Sequence, residues 1–250
     1  MRRRFLLAVL PLVVVACARA QGGPPMVTDD PGTPGNGHWE INVAWTDQEQ
    51  PGVRTIGLPL LDANYGVGDR LQLNYQASWN VIDAGSAAAD SGMSDSQLAC
   101  KWRFYDAGET GLQVSTYPRY TFVNPSSRSD RRGTADPNAT FLLPAEVRHA
   151  FGRWSVNADF GRTFSGSASE RGWMGGVCVG AEILKGWEID AEAHATTLDR
   201  LGSSEVILNA GVRHDFSEHL TLLLAVGADA RNTIAPRSRL LTYAGLQLRL

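Results

Sequence analysis

After residue 20 the sequence contains no run of 18 apolar residues, so that stretch cannot supply the roughly 20 residues a membrane-spanning helix requires. No segment keeps a 3.6-residue apolar period over three turns, which argues against a helical bundle. Cysteine is scarce: three in 250 residues, one of them, Cys17, in the N-terminal apolar run. The other two, Cys100 and Cys178, fall on opposite faces of well-separated strands in the reading below and are expected to be free thiols. The five histidines, His38, His149, His194, His214 and His219, include no HExxH pair, and the cysteines lack zinc spacing, so no cofactor is called for. Asp29 and Asp30 in "TDDPGTPGNG" lack the alternating oxygen ligands and terminal Glu of a calcium loop. With 26 Asp and Glu against 23 Lys and Arg the chain is acidic, which leaves no case for nucleic acid as a partner, because its phosphates demand clustered Lys and Arg.

What is present begins with a leader. "MRRRFLLAVLPLVVVACARAQ" joins three arginines to an apolar run and the small-x-small site Ala18, Arg19, Ala20, so residues 1–20 read as a bacterial secretory signal absent from the mature chain. The stretch "VVAC" loosely matches a lipobox, so lipidation at Cys17 stays open beside cleavage after Ala20. Loss of Arg2, Arg3, Arg4 and Arg19 from 23 Lys and Arg, against 26 Asp and Glu, moves the net charge from −3 to −7. Residues 21–37, rich in Pro and Gly, read as an irregular lead-in, either periplasmic or folded into the lumen of the domain that follows; lying in the lumen it would act as a partial plug. Residues 38–250 form that domain.

There the apolar residues alternate. "HWEINVAWT" sets Trp39, Ile41, Val43 and Trp45 against His38, Glu40, Asn42, Ala44 and Thr46; "RLQLNYQASWN" and "WEIDAEAHAT" behave alike. Extended along the chain, the period predicts twelve strands near 38–46, 55–66, 70–80, 94–105, 111–122, 140–149, 154–165, 172–184, 187–198, 205–216, 220–230 and 239–250. Tight turns alternate with a longer set of connections, counted from 47–54 to 231–238. An even number of strands of about ten residues, with loops sorted by length, is what a transmembrane antiparallel up-and-down β-barrel of the bacterial outer membrane requires. All seven tryptophans sit on the apolar face near strand ends, as two interfacial girdles would. Pro59, Pro118 and Pro144 count against the reading, because a closed barrel has no edge to absorb a missing N–H.

Three phrases, "MVTDDPGTPGNGHWEINVAW", "LLDANYGVGDRLQLNYQASW" and "LPAEVRHAFGRWSVNADFG", resemble an outer-membrane transporter family labelled as a MetA-pathway of phenol degradation. The resemblance implies a barrel and, for some members, uptake of aromatic compounds. The tail also resembles the C-terminal assembly signal of outer-membrane barrels through Tyr243, Gly245, Leu248 and Leu250, with Leu where Phe is usual, which makes the barrel assembly machinery an expected partner.

The alternation turns a polar set inward. Lys101, Arg103, Arg119, Glu146 and Arg148 come from the middle strands, and Glu188, Asp190, Glu192 and His194 from a distant one, giving a basic and an acidic wall. Opposed walls would select solutes by charge and dipole, so passive passage of small molecules is expected, with Lys101, Arg103, Arg119, Arg148, Glu188, Asp190, Glu192 and His194 lining the path. Mutual pairing across the lumen, giving a closed structural barrel, is the alternative. A lipid hydrolase or acyltransferase ranks lower: no Gly-x-Ser-x-Gly elbow appears, and His149 and His214 face outward beside short turns. The protein is therefore read as a non-enzyme. Outer-membrane lipid surrounds it, and lipopolysaccharide phosphates could meet Arg128, Arg131 and Arg132 in "NPSSRSDRRGTADPN".

Overall fold

A computed structural model describes residues 23–85, 88–108, 110–125, 127–200 and 202–250; the leader, including Cys17 and Ala20, lies outside the described residues. The strands are β1 (Trp39–Gln50), β2 (Val53–Val67), β3 (Leu71–Asp83), β4 (Asp90–Met93), β5 (Ser96–Asp106), β6 (Leu112–Thr116), β7 (Arg119–Phe122), β8 (Thr140–Phe151), β9 (Trp154–Ser165), β10 (Gly172–Leu184), β11 (Trp187–Leu198), β12 (Ser204–Asp215), β13 (Leu220–Asn232) and β14 (Leu240–Arg249). β4 continues β5 along β3, and β6 and β7 are two halves of one stave, so the sheet is a closed antiparallel barrel of twelve.

Closure is made by the chain ends. β1 pairs with β14 from Glu40↔Arg249 to Glu49↔Leu240, and Trp39 and Leu250 exchange backbone hydrogen bonds of 2.8 and 2.9 Å. With this seam made, the wall has no free edge, which a lipid environment demands because exposed backbone groups there find no partner.

Burial along each strand is inverted relative to a soluble barrel. On β11 the polar Glu188, Asp190, Glu192 and His194 are buried, while Trp187 and Ile189 are exposed. Leu71, Leu73 and Leu224 lie on the outer surface, Leu73 with half of its area accessible, where a soluble ligand-binding barrel would have turned them in. Trp39, Trp79, Trp102, Trp154, Trp173 and Trp187 are likewise outward. Cys100 is exposed and Cys178 buried, both free.

Two features depart from the sequence reading. The connection expected at 47–54 is strand: β1 runs to Gln50 and β2 starts at Val53, joined by Pro51 and Gly52 alone. The polar residues there, Asp47 to Gln50, extend a hairpin above Trp45, and polarity hid a strand that stands clear of the bilayer. The prolines each meet a local device. Pro59 sits in a bulge between Gly57 and Leu60. Pro118 lies in the break between β6 and β7, and Pro144 faces that same break from β8, so neither is asked for a ladder N–H toward it. On its other side Pro144 pairs with Gly161, where an added Cβ would lie 2.9 Å from the Pro144 Cα.

Candidate functional site in the barrel lumen

The lumen contains residues 23–37. The segment leaves β1 at the short-turn rim, where Thr33 Oγ1 donates to Asp69 O at 2.9 Å, climbs to mid-barrel at Thr28 and Asp29, and folds back so that Gly23 N donates to Thr28 O at 2.9 Å. Glycines on the wall make room for it. A Cβ on Gly176 would collide with the Thr28 hydroxyl and approach His194 Cδ2 at 2.7 Å, and one on Gly211 would strike the Met26 methyl.

Asp29 meets the basic wall. Its Oδ1 lies 2.8 Å from Lys101 Nζ and its Oδ2 3.0 Å from Arg119. Glu146, fully buried on β8, takes the other side of both bases at 3.7 and 3.4 Å and accepts Ser115 Oγ at 2.6 Å. Both cations also lie against the Tyr117 ring, Lys101 4.6 Å and Arg119 4.5 Å from its centroid. Lys101 also donates to Asp30 O. Burial raises the Asp29 pKa, but the charges of Lys101 and Arg119 outweigh it and hold the carboxyl below its usual range.

The acidic wall meets the same segment through its backbone. Glu192 accepts Val27 N at 3.1 Å, Thr28 N, and Asn209 Nδ2 at 2.6 Å. Arg213, on β12 beside Glu188, donates to Pro24 O at 2.8 Å. His194 is buried beside Gly176, with its Nε2 meeting no hydrogen-bond partner. Arg103 lies lower, 3.1 Å from Asp106 and donating to Asp69 O at 2.7 Å, while Arg148 faces Gln113 at 3.4 Å. Both line an open vestibule of about 830 Å³ at the short-turn mouth, bordered by Asp30, Gly32, Thr33 and Pro34.

All eight predicted lumen residues thus point inward, and the lead-in brings Lys101, Arg119 and Glu192 into one assembly that also reaches Arg213. Reading strands alone misses Asp29 as the counter-ion; the available signal was an acidic doublet in a Pro/Gly segment preceding a lumen with unmatched bases. It also misses the amide belt in which Asp62 accepts Asn42 at 2.9 Å and Asn74 at 2.6 Å, and Asn64 accepts Gln72 at 2.7 Å. His149 and His214 do face outward; His214 stacks on Trp187 at 4.0 Å. Among the described residues no three His, Cys, Asp or Glu side chains gather closely enough to hold a metal.

A closed antiparallel wall, apolar outside with tryptophan at its margins and polar inside, defines a transmembrane β-barrel of the outer-membrane type. Solved structures share this fold. An outer membrane channel from Pseudomonas putida F1 superposes with a TM-score of 0.69 at 13% identity, over 88% of this chain and 98% of that one. The KdgM porin gives 0.55 at 12% over 83% and 98%, and the toluene transporter TbuX of Ralstonia pickettii 0.51 at 12% over 88% and 92%. No protein-family model matches the sequence, and no curated protein is similar to it in sequence.

Proposed function

We propose that the protein is a passive outer-membrane channel for small molecules, hydrophobic and aromatic compounds among them, and performs no catalysis. One observation carries the reading: the polar lumen opens into a wide vestibule and is filled by a segment held through side chains of the wall rather than by strand pairing, so the filling can leave without breaking the barrel. The toluene transporter among the solved structures of this fold supports an aromatic cargo, as does the resemblance of three sequence phrases to the phenol-degradation family. Lys101, Arg103, Arg119, Arg148, Glu188, Asp190, Glu192 and His194 line the path. The barrel assembly machinery reads Tyr243, Gly245, Leu248 and Leu250. Lipopolysaccharide phosphates meet Arg128 and Arg131, which border a cavity of about 410 Å³ in the long outer loop.

The ion pairs of Asp29 favour a second reading, a closed structural barrel. Planar-bilayer conductance and liposome swelling decide between them. Discrete channels that grow on deletion of residues 21–36 support the channel; no channels and no swelling in either protein would sink it.

A further inference from the structure

The lead-in is held in two different ways. Residues 33–38 are tied to the β2–β3 turn: Thr33 Oγ1 donates to Asp69 O at 2.9 Å, Gly68 N to Asn36 Oδ1 at 2.9 Å, Gly37 N to Gly66 O at 2.9 Å, and Gly66 N to His38 O at 3.0 Å. The fit there is close, since a Cβ on Gly66 would collide with Gly35 O. His38 runs straight into β1, so movement of this part would pull on the barrel wall.

Residues 23–30, by contrast, have no backbone–backbone hydrogen bond to the wall among the described residues. Their bonds to one another, Gly23 N to Thr28 O and Met26 N to Gly23 O, both 2.9 Å, make them one small body. The wall reaches that body through the side chains of Glu192, Asp159, Lys101, Arg119 and Arg213. Between the two parts, Pro31 has no N–H, and the Gly32 amide is satisfied within the segment by Asp30 Oδ1 at 2.7 Å. Neither residue therefore ties a backbone donor to the wall. Beside them lies the open vestibule, which Gly32, Thr33 and Pro34 border.

A body held by side chains opens at lower free energy than one held by backbone hydrogen bonds continuous with a strand. We propose that residues 23–31 form a tethered gate, which swings about Gly32 from the lumen into the periplasmic vestibule while residues 33–38 stay clamped to the β2–β3 turn. Asp29 stands four residues from Thr33, so the released gate stays within about 14 Å of its clamp and rebinds intramolecularly, at an effective concentration in the millimolar range. Each opening is thus self-terminating. As a motion the swing stands by itself; as control of a solute path it rests on the channel reading.

Hydrogen exchange in the refolded barrel reads the motion without conduction. Corrected for intrinsic rate, the Thr28 amide is expected to exchange about tenfold or more faster than the Gly37 and Gly66 amides. Equal protection at all three would mean that the lead-in leaves as one piece, and would overturn the swing. Crosslinks read the gate in planar bilayers. With Cys100 and Cys178 changed to Ser, a short thiol crosslinker between Asn36→Cys and Asp69→Cys should leave channel opening unchanged. A disulfide between Thr28→Cys and Gly176→Cys should cut opening about tenfold or more until it is reduced. Val27→Cys crosslinked to Asn209→Cys, both beside Glu192, serves where that pair does not refold. Opening abolished by the Asn36–Asp69 crosslink, or unchanged by the gate crosslinks, would overturn the gate. Faster exchange at Thr28 in a protein that never conducts, with or without residues 21–36, leaves the swing standing and removes the channel; conduction with equal protection does the reverse.

Discussion

Asp29 bridges Lys101 and Arg119 with one oxygen each, at 2.8 and 3.0 Å, and so joins the lead-in to two strands of the barrel wall at once. Asp29→Asn would leave Glu146 as the one carboxylate that pairs with both cations. Removing one partner of a buried pair costs about 3–5 kcal/mol, and here the cost falls on the docked lead-in. In a protein with Cys100 and Cys178 changed to Ser, a Thr28→Cys probe should label faster with an impermeant maleimide once Asp29→Asn is added. Identical labelling would show that the ion pairs do not hold the segment.

The same carboxylate sets a pH window. Its folded pKa is depressed below 3.8 by Lys101 and Arg119 against burial, so its stabilising contribution is complete above that value and is lost as pH falls through the lower folded pKa. Labelling of the Thr28→Cys probe, divided by the rate of a free cysteine peptide at the same pH to remove the thiolate dependence, should therefore stay flat from about pH 8 to about pH 5 and rise only below about pH 4. A rise centred near neutrality would assign the latch to another group.

Asp95, at the outer rim between β4 and β5, has the opposite sign. Burial pushes its carboxyl up from 3.8 to about 6 against the hydrogen bond it accepts from Asp136 N at 3.0 Å. A raised acid pKa favours the folded loop below the unfolded value, and the advantage is lost as pH rises through about 6. Hydrogen exchange at the Asp136 amide, corrected for intrinsic rate, should reveal more opening at pH 7 than at pH 4. Asp95→Asn should remove the difference; an unchanged profile would place the titrating group elsewhere.

How far the sequence could be read follows from which residues carry a period. On β11, Trp187 to Ala195 alternate without interruption, and strand, face and seat in the barrel follow from that alone. Asp47 to Gln50 carry no apolar partner because they stand above the bilayer, so a two-residue hairpin reads as a long connection. Tyr117 and Pro118 break one stave where Pro144 interrupts its neighbour, an arrangement that needs the register of two strands to see. The lead-in has no period at all. Its docking depends on Asp29 reaching Lys101 and Arg119 across 72 and 90 residues of chain, and alternation is silent about such pairings.

The outer face is the plainest place to separate a membrane barrel from a water-soluble one. Val177, in the middle of β10 between Trp173 and Leu184, is about half exposed. On a soluble surface Val177→Arg would change stability by roughly 0.5 kcal/mol or less. Facing lipid near the midplane it should cost about 2–4 kcal/mol, read as a lower urea midpoint in vesicles. Cys178, its inward neighbour, is fully buried, so the substitution tests lipid contact without entering the lumen.

The closing strand carries two roles that substitution can divide. Leu250 exchanges both backbone hydrogen bonds with Trp39, and its side chain is among the most exposed apolar groups on the barrel, so its identity matters little to the finished seam. Leu250→Phe should therefore leave the urea midpoint within about 0.5 kcal/mol while speeding the appearance of the heat-modifiable form in cells, if the assembly machinery reads the last residue. Gly245 is different. A Cβ there would stand 2.8 Å from Ala44 Cβ and 2.9 Å from Tyr243 Cε1, so Gly245→Ala overpacks the inner side of the seam and should cost about 1–3 kcal/mol in purified, refolded protein with no machinery present. A Leu250→Phe variant that assembles at the native rate would limit the tail to the structural role, because Gly245 would then act through packing alone.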